Sequence, residues 1–435
     1  MKKAAFHNLG CKVNAYETEA MQELLEKAGY AIVPFKEGAD VYVINTCTVT
    51  NIADRKSRQM LRRARKMNPN AVVVAAGCYV QAQEGKDVDP CIDIIIGNNH
   101  KKDLVRILEE YEREHSTEHE KECLIEMEDI GYTREYESLR LTKTGEHTRA
   151  YIKVQDGCNQ FCTYCIIPYA RGRVRSRTLG DVTAEVKTLA ENGYREVVLT
   201  GIHLSSYGID FDGERHLIDL IRAVHEIEGI MRIRLGSLEP GIVTEKFAEE
   251  LSAMPKFCPH FHLSLQSGCD ATLKRMNRRY TSGEYYEKCV LLRKYFDNPA
   301  LTTDVIVGFP GETDEEFQES LAFVDKVDFY ETHIFKYSQR AGTKAAVMPD
   351  QVDERVKAER STVMIGLNER KQKAYETSFI GKEVEVLIEE EDVIGGKPVQ
   401  TGHTKEYIKI ALENKENLKN CIVNFQIEKD SQIIH

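Results

Sequence analysis

The sequence has no long apolar run. Its first residues, Met1-Lys2-Lys3-Ala4-Ala5-Phe6-His7-Asn8, turn polar after three apolar positions, which is too short for the core of a secretion signal. No later stretch approaches the roughly 20 apolar residues of a membrane span. A cytoplasmic protein with no membrane partner is expected. An excess of positive charge is also missing: 59 Lys and Arg stand against 70 Asp and Glu, a formal charge of −11. Taken alone this speaks against nucleic-acid binding, because affinity for phosphate comes largely from cations. The 12 cysteines lack an export context, which argues against a disulfide framework and for thiols kept free for metals or catalysis. No internal repeat is found. What remains is 435 residues, 42% hydrophobic and 30% charged, enough for two or three packed domains. Charge is unevenly spread. Arg55, Lys56, Arg58, Arg62, Arg63, Arg65 and Lys66 form one basic run and Arg171, Arg173, Arg175 and Arg177 another, so a basic face, or merely a solvated one, can coexist with an acidic total.

The pattern is α/β. In residues 1–113, buried strands are expected at 4–7, 41–45, 71–76 and 92–96, with helices at 16–28, 53–67 and 101–111, as in a parallel α/β domain. Residues 114–145 are charged and poorly periodic and read as a linker. In 146–375, six strands (151–154, 196–200, 232–235, 260–265, 303–307, 331–337) alternate with helices, giving an open or partial (β/α)6 barrel whose active site lies at the strand C-termini. A long amphipathic helix over 353–375 leads out, and 376–435 turns to period-two strands around Gly395-Gly396, a small antiparallel β-barrel.

Cys158-Asn-Gln-Phe-Cys162-Thr-Tyr-Cys165 places three thiols in a loop directly after the first barrel strand. Three thiolates on a cubane iron-sulfur cluster leave one iron open to a ligand that is not protein. A zinc knuckle is the competing reading, but the flanks carry no second C-x-x-C and no His pair. Cys11, Cys47 and Cys78 each follow a predicted strand of the first domain. In a parallel sheet those ends share one edge, so a second three-thiolate site is expected there rather than three isolated core thiols.

With both sets in place, the chain resembles the methylthiotransferases of the radical S-adenosylmethionine superfamily. The resemblance rests on Leu9-Gly10-Cys11-Lys12-Val13-Asn14, Asn45-Thr46-Cys47-Thr48-Val49-Thr50, Gly77-Cys78-Tyr79, the C-x-x-x-C-x-aromatic-C loop with Tyr164 as its aromatic, and Arg171-Gly172. It implies two 4Fe-4S clusters and S-adenosylmethionine. The Cys158/Cys162/Cys165 cluster would cleave the cofactor to a radical, the Cys11/Cys47/Cys78 cluster would carry the sulfur, and a TRAM-like terminal barrel would bind RNA. The Leu-Gly-Cys-Lys-Val-Asn and Thr-Cys-Thr-Val-Thr wording is most similar to the branch acting on C2 of N6-threonylcarbamoyladenosine at position 37 of tRNA. The implied partners are the tRNA anticodon loop, an electron donor such as flavodoxin or ferredoxin, and a sulfur donor, with both basic runs facing the phosphate backbone. Cofactor contacts are expected at strand ends: Gly201, Ser237, Glu239, Gln266 and Asp304, with Arg278 pairing a cofactor carboxylate. Each of these reads equally as a helix cap or ion pair. Competing functions are methylthiolation of N6-isopentenyladenosine, a different sulfur-insertion substrate including a protein, and a non-catalytic iron-sulfur RNA-binding regulator.

Overall fold

The structure is a computed structural model describing residues 1–83, 89–114, 122–143, 148–213, 216–413 and 416–434. The first unit comprises β1 (Lys3–Asn8), α1 (Lys12–Lys27), β2 (Ala31–Val33), β3 (Val41–Thr46), α2 (Asn51–Met67), β4 (Val72–Gly77), α3 (Cys78–Ala82), β5 (Ile94–Ile96), α4 (Leu104–Glu114) and β6 (Leu124–Glu126). Its sheet is parallel throughout, in the order β2-β1-β3-β4-β5-β6. Val-Tyr-Val-Ile-Asn-Thr in β3 and Ile-Ile-Ile in β5 are wholly buried, as strands covered on both faces must be. Met21, Leu25, Ile107 and Leu108 of α1 and α4 pack one face, and Leu61 and Ala64 of α2 the other. Thr50 caps α2 by accepting from the Ala53 N–H at 3.1 Å, which starts that helix just beyond Cys47. The short strands β2 and β6 escape sequence reading; β6 ties part of the charged connecting segment to this sheet.

The central unit holds β7 (Arg149–Asp156), α5 (Ile167–Ala170), β8 (Arg175–Ser176), α6 (Leu179–Glu191), β9 (Glu196–Gly201), α7 (Leu217–His225), β10 (Arg232–Leu235), α8 (Glu245–Ser252), β11 (His260–His262), α9 (Asp270–Arg275), α10 (Ser282–Tyr295), β12 (Ala300–Val307), α11 (Asp314–Val327), β13 (Glu331–Lys336) and α12 (Glu354–Thr377). Strands β7, β9 and β10 pair in parallel, as do β11, β12 and β13, and parallel bridges Ile233–Phe257 and Leu238–Leu263 join the two sets into the expected six-stranded partial barrel. Ile152, Val154, Val197, Leu199, Ile233, Phe261, Leu263, Leu301 and Val305 pack outward under the helices. Strand alternation therefore turns Lys153, Gln155, Glu196, Arg232, Arg234, His260, His262, Thr302, Asp304 and His333 toward the barrel interior. That interior is polar.

The terminal unit is a curled antiparallel sheet of β14 (Glu383–Ile394), β15 (Lys397–Thr404), β16 (Lys409–Leu412) and β17 (Ile422–Gln426), in the order β16-β15-β14-β17. Gly395 and Gly396, with φ of +59° and +79°, make the β14–β15 turn that only positive-φ residues fit readily. Pro398 and Gly402 hide β15 from a strand pattern. This sheet closes the N-terminal end of the barrel. Arg232 binds Glu385 at 3.0 Å and the His403 carbonyl at 2.9 Å, while Tyr407 stacks on His260 with centroids 4.9 Å apart. The first unit covers part of the opposite end, with α1 packed against β7 and β9.

Candidate active site

Strand β7 ends at Asp156, and the chain enters the cysteine loop through Gly157 at φ +70°. A Cβ there would stand 1.8 Å from the Arg173 carbonyl, so only glycine fits. The loop is held by its own backbone: the Cys158 N–H donates to the Gly172 carbonyl at 3.0 Å, Cys165 N–H to Cys162 at 3.0 Å, and Thr163 N–H to Met276 at 3.1 Å. Burial, helped by the neighbouring Cys162, raises the Cys158 thiol to about 11 and the Cys165 thiol to about 12. Beside them, Arg278 Nη1 lies 3.3 Å from Cys162 Sγ, and its Nη2 lies 3.1 Å from Glu239. Glu239 also accepts from Gln160 at 3.0 Å and meets His203 Nε2 at 2.9 Å. These partners, His203 foremost, hold its carboxyl below the usual range.

Cys11, Cys47 and Cys78 come together at the C-terminal edge of the first sheet. Gly10, at φ +110°, would bring a Cβ within 3.0 Å of Cys47 Sγ, so the close approach of this turn to the thiol depends on glycine. Burial raises Cys11 and raises Cys47 to about 11; Cys78 adds to both shifts. Arg171 Nε lies 3.2 Å from Cys78 Sγ, and its Nη atoms bind Glu17 at 2.7 and 3.0 Å, Asn14 at 2.6 Å and Asp156 at 3.2 Å. Lys153 meets Glu17 and Asp156 at 2.7 Å each, and Lys101 meets Glu17 at 3.1 Å. This network is fully enclosed and joins the two units.

All twelve cysteines are free. Among the described residues, the His262, Asp304 and His333 group is the one trio of His, Cys, Asp or Glu side chains whose ligand atoms lie within 4.8 Å of one another. Neither cysteine trio is that tight. Ligands of one zinc ion stand closer, since each Zn–S bond is about 2.3 Å, whereas a cubane spreads its thiolates over several irons. The donor sets, three mutually facing thiols with cationic neighbours and a wider span than one ion needs, fit two iron-sulfur clusters. Cys158, Cys162 and Cys165 would hold one, and Cys11, Cys47 and Cys78 the other.

The remaining expected contacts divide. Tyr164 packs edge-on against Phe309 at 6.4 Å. Gly201 ends β9 where a Cβ would come 2.8 Å from Gln155 Oε1. Gln266 takes φ +71° and links Asp304 to Ile306 through its backbone at 2.8 Å each. Ser237 is exposed just beyond β10. Glu239 and Arg278 gather at the cysteine loop, but Asp304 does not. It lies mid-strand, 3.3 Å from His262, whose Nδ1 is engaged by Thr302 at 2.9 Å. Gln160 and His203 were missed, although both sit one or two residues from features the sequence singles out.

The second basic run needs correction. Arg171, Arg175 and Arg177 are buried, paired with Glu17, Asp156 and Glu185, and only Arg173 of the run reaches solvent, over the Phe161 ring at 4.6 Å. Enclosed carboxylates demand cations, so these arginines answer internal charge rather than an external phosphate. On α2 the expectation of an open basic face holds: Arg55, Lys56, Arg62, Arg63 and Lys66 are exposed.

Lys12, beside Cys11, heads α1. Its side chain is reached by solvent but crowded by protein on most sides, and the resulting desolvation, together with the Arg149 and Arg234 guanidiniums, lowers its ammonium to about 8.

Residues 152–324 match the Radical SAM superfamily, and residues 3–97 match the uncharacterized protein family UPF0004. The threonylcarbamoyladenosine tRNA methylthiotransferase MtaB of Bacillus subtilis (strain 168) is 40% identical over 99% of this chain and 94% of its own length. Its counterpart in Aquifex aeolicus (strain VF5) is 41% identical over 90% and 93%. The tRNA-2-methylthio-N(6)-dimethylallyladenosine synthase of Thermoanaerobacter sp. (strain X514) is 38% identical over 87% and 80%. Among solved structures, the radical S-adenosylmethionine methyltransferase TsrM from Kitasatospora setae, with cobalamin and a 4Fe-4S cluster bound, shares the fold at a TM-score of 0.56 and 16% identity over 77% of this chain and 75% of that one. With full-length relatives at this identity and both cysteine sets assembled, the chain belongs to the tRNA methylthiotransferase family of radical S-adenosylmethionine enzymes.

Proposed function

We propose that this enzyme adds a methylthio group to C2 of N6-threonylcarbamoyladenosine at position 37 of tRNA, in the cytoplasm, using two 4Fe-4S clusters. The observation that carries the reading is the meeting of the two cysteine trios across one interface. Arg171 stands 3.2 Å from Cys78, and the adjacent Gly172 carbonyl anchors Cys158 at 3.0 Å. Two sulfur-rich sites joined by one enclosed residue suit a reaction in which hydrogen removal and sulfur delivery act on the same carbon. When bound, the clusters and S-adenosylmethionine supply the electron and the radical that remove a hydrogen no side-chain base can reach.

The chain's own residues orient and enclose. Glu239, fixed by Gln160, His203 and Arg278, sets a charged, ordered group beside the Cys158 loop, suited to the polar groups of the cofactor. Arg278 is itself aligned over Tyr280 at 4.9 Å. The substrate base, splayed from its loop, would enter between α1 and the barrel mouth. The terminal sheet and the exposed face of α2 offer RNA contacts, and flavodoxin or ferredoxin and a sulfur donor are the partners this chemistry requires.

The interior of the barrel bears on the branch. An isopentenyl group calls for apolar walls, whereas Lys153, Glu196, Arg234, His262, Asp304 and His333 make a polar interior suited to a hydrophilic, carboxylate-bearing substituent. The test is nucleoside mass analysis of tRNA after anaerobic incubation with reconstituted enzyme, S-adenosylmethionine and reductant. Methylthio product on threonylcarbamoyladenosine alone is expected; product on isopentenyladenosine alone would overturn the branch.

A further inference from the structure

The inward charges of the barrel are nearly all answered. Arg234 binds Glu196 at 2.9 Å, Arg149 binds Glu389 at 3.1 Å and Arg232 binds Glu385 at 3.0 Å. Lys153 and Lys101 are answered by Glu17. Lys12 is different. It has no ion-pair or hydrogen-bond partner among the described residues, although the charges acting on it are those of Arg149, Arg234 and Glu196, all in the barrel interior. His260, also inward-facing, feels Lys12 together with Arg234 and Arg149. An accessible ammonium placed among other cations is unfavourable unless an anion arrives there. Its position narrows what that anion is. The helix it heads is locked to β7 through Glu17 and Lys153, and the preceding residue is Cys11, so the backbone at Lys12 is fixed beside the proposed sulfur-carrying site while its ammonium lies among the inward charges of the barrel.

We infer that Lys12 is the residue that binds the carboxylate of the threonylcarbamoyl substituent and thereby selects that substrate. The inference rests on the proposed reaction at C2. One base then presents its reacting carbon to the sulfur site and its N6 substituent to the neighbouring lysine. A point-charge donor on a flexible stem suits a mobile carboxylate. An isopentenyl group would leave the same ammonium unpaired in the recess, so the residue that attracts one substrate disfavours the other.

The experiment measures binding of anticodon stem-loop RNAs to the reconstituted holoenzyme under anaerobic conditions. The RNAs carry threonylcarbamoyladenosine, its methyl ester, or unmodified adenosine. The wild type is expected to bind the free acid about 10- to 100-fold more tightly than the ester, the range of a charge-assisted hydrogen bond. K12M is expected to lose that ratio and K12R to restore part of it, a pattern that loss of packing would not produce. Equal wild-type affinity for acid and ester overturns the inference whatever the variants do, as does a K12M protein that keeps the wild-type ratio. So does weaker binding of S-adenosylmethionine by K12M with the acid-to-ester ratio intact, which would assign the lysine to the cofactor. If the wild type fails to distinguish either modified RNA from unmodified adenosine, the proposed substrate itself fails.

Discussion

Arg171 is the residue on which the two halves of the site depend. A cation with no solvent exposure is stable only because Glu17 and Asp156 flank it, and those carboxylates are stable only because of Arg171, Lys153 and neighbouring cations. Burial opposes ionisation of both carboxyls, yet the surrounding cations hold them well below the ordinary range. Carboxyls depressed in the folded state stabilise it at every pH above their unfolded values near 4, and that contribution is lost as pH falls through the depressed folded values. The network therefore persists through mildly acid conditions. R171M takes from two buried carboxylates a cation they share, leaving Lys153, Lys101 and Arg175, and is expected to lower stability by about 3 kcal/mol, read as a fall in the thermal midpoint. R171K keeps the charge but cannot reach Cys78, Glu17 and Asn14 together, and is expected to be milder in stability while altering the absorption of the cluster proposed at Cys78. An unchanged midpoint for R171M would sink this account.

Among the elements, the strand ends carry the chemistry. Cys47 and Cys78 directly follow β3 and β4 and Cys11 lies three residues beyond β1, while Cys158, Cys162 and Cys165 share one loop after β7. The two sets have no ligand in common. Replacing Cys158, Cys162 and Cys165 with Ala is expected to halve iron and sulfide per chain in reconstituted protein, with the rest retained at the first trio; complete loss of iron would contradict two separable sites. The basic face of α2 makes a separate prediction. Reversing Arg55, Lys56 and Arg63 to Glu is expected to weaken tRNA binding uniformly across sequences. The slope of log affinity against log salt should shrink by about 0.7–0.9 for each phosphate contact removed. An unaltered slope would leave α2 a solvated face. The Arg171 to Arg177 run shows why charge along a sequence is a poor guide at this scale: β8 and the turn before it carry three of the four side chains inward, where Glu17, Asp156 and Glu185 wait.

For the whole molecule, the partial barrel is closed at one end and partly covered at the other. Tyr407 fastens the closed end. At φ +76° it stacks on His260 and His403 and lies under Arg149 and Arg234 at 4.9 and 4.8 Å. Y407A is expected to cost about 2–3 kcal/mol, less than the loss of a fully buried aromatic because the ring is half-buried, and to let the terminal sheet be cleaved by protease at lower temperature than the barrel. If the two regions melt together as in the wild type, the tyrosine is not the fastening. At the open end, α1 packs against β7 and β9, so the proposed base would be confined between Cys11 and the Cys158 loop.

The sequence by itself determined the α/β pattern, the six barrel strands and both cysteine trios. Buried parallel strands are short β-branched runs that need no context to be read, and thiols recurring just beyond successive strands converge because a parallel sheet aligns its ends. The tertiary structure alone decided which charges face inward. Lys12, Arg171 and the residues around Glu239 belong to separate stretches of chain, and their roles follow from partners up to 157 positions away. Burial and pairing are properties of the packed whole, so a lysine without an ion pair among the inward cations of the barrel is visible only once the partners of the others are known.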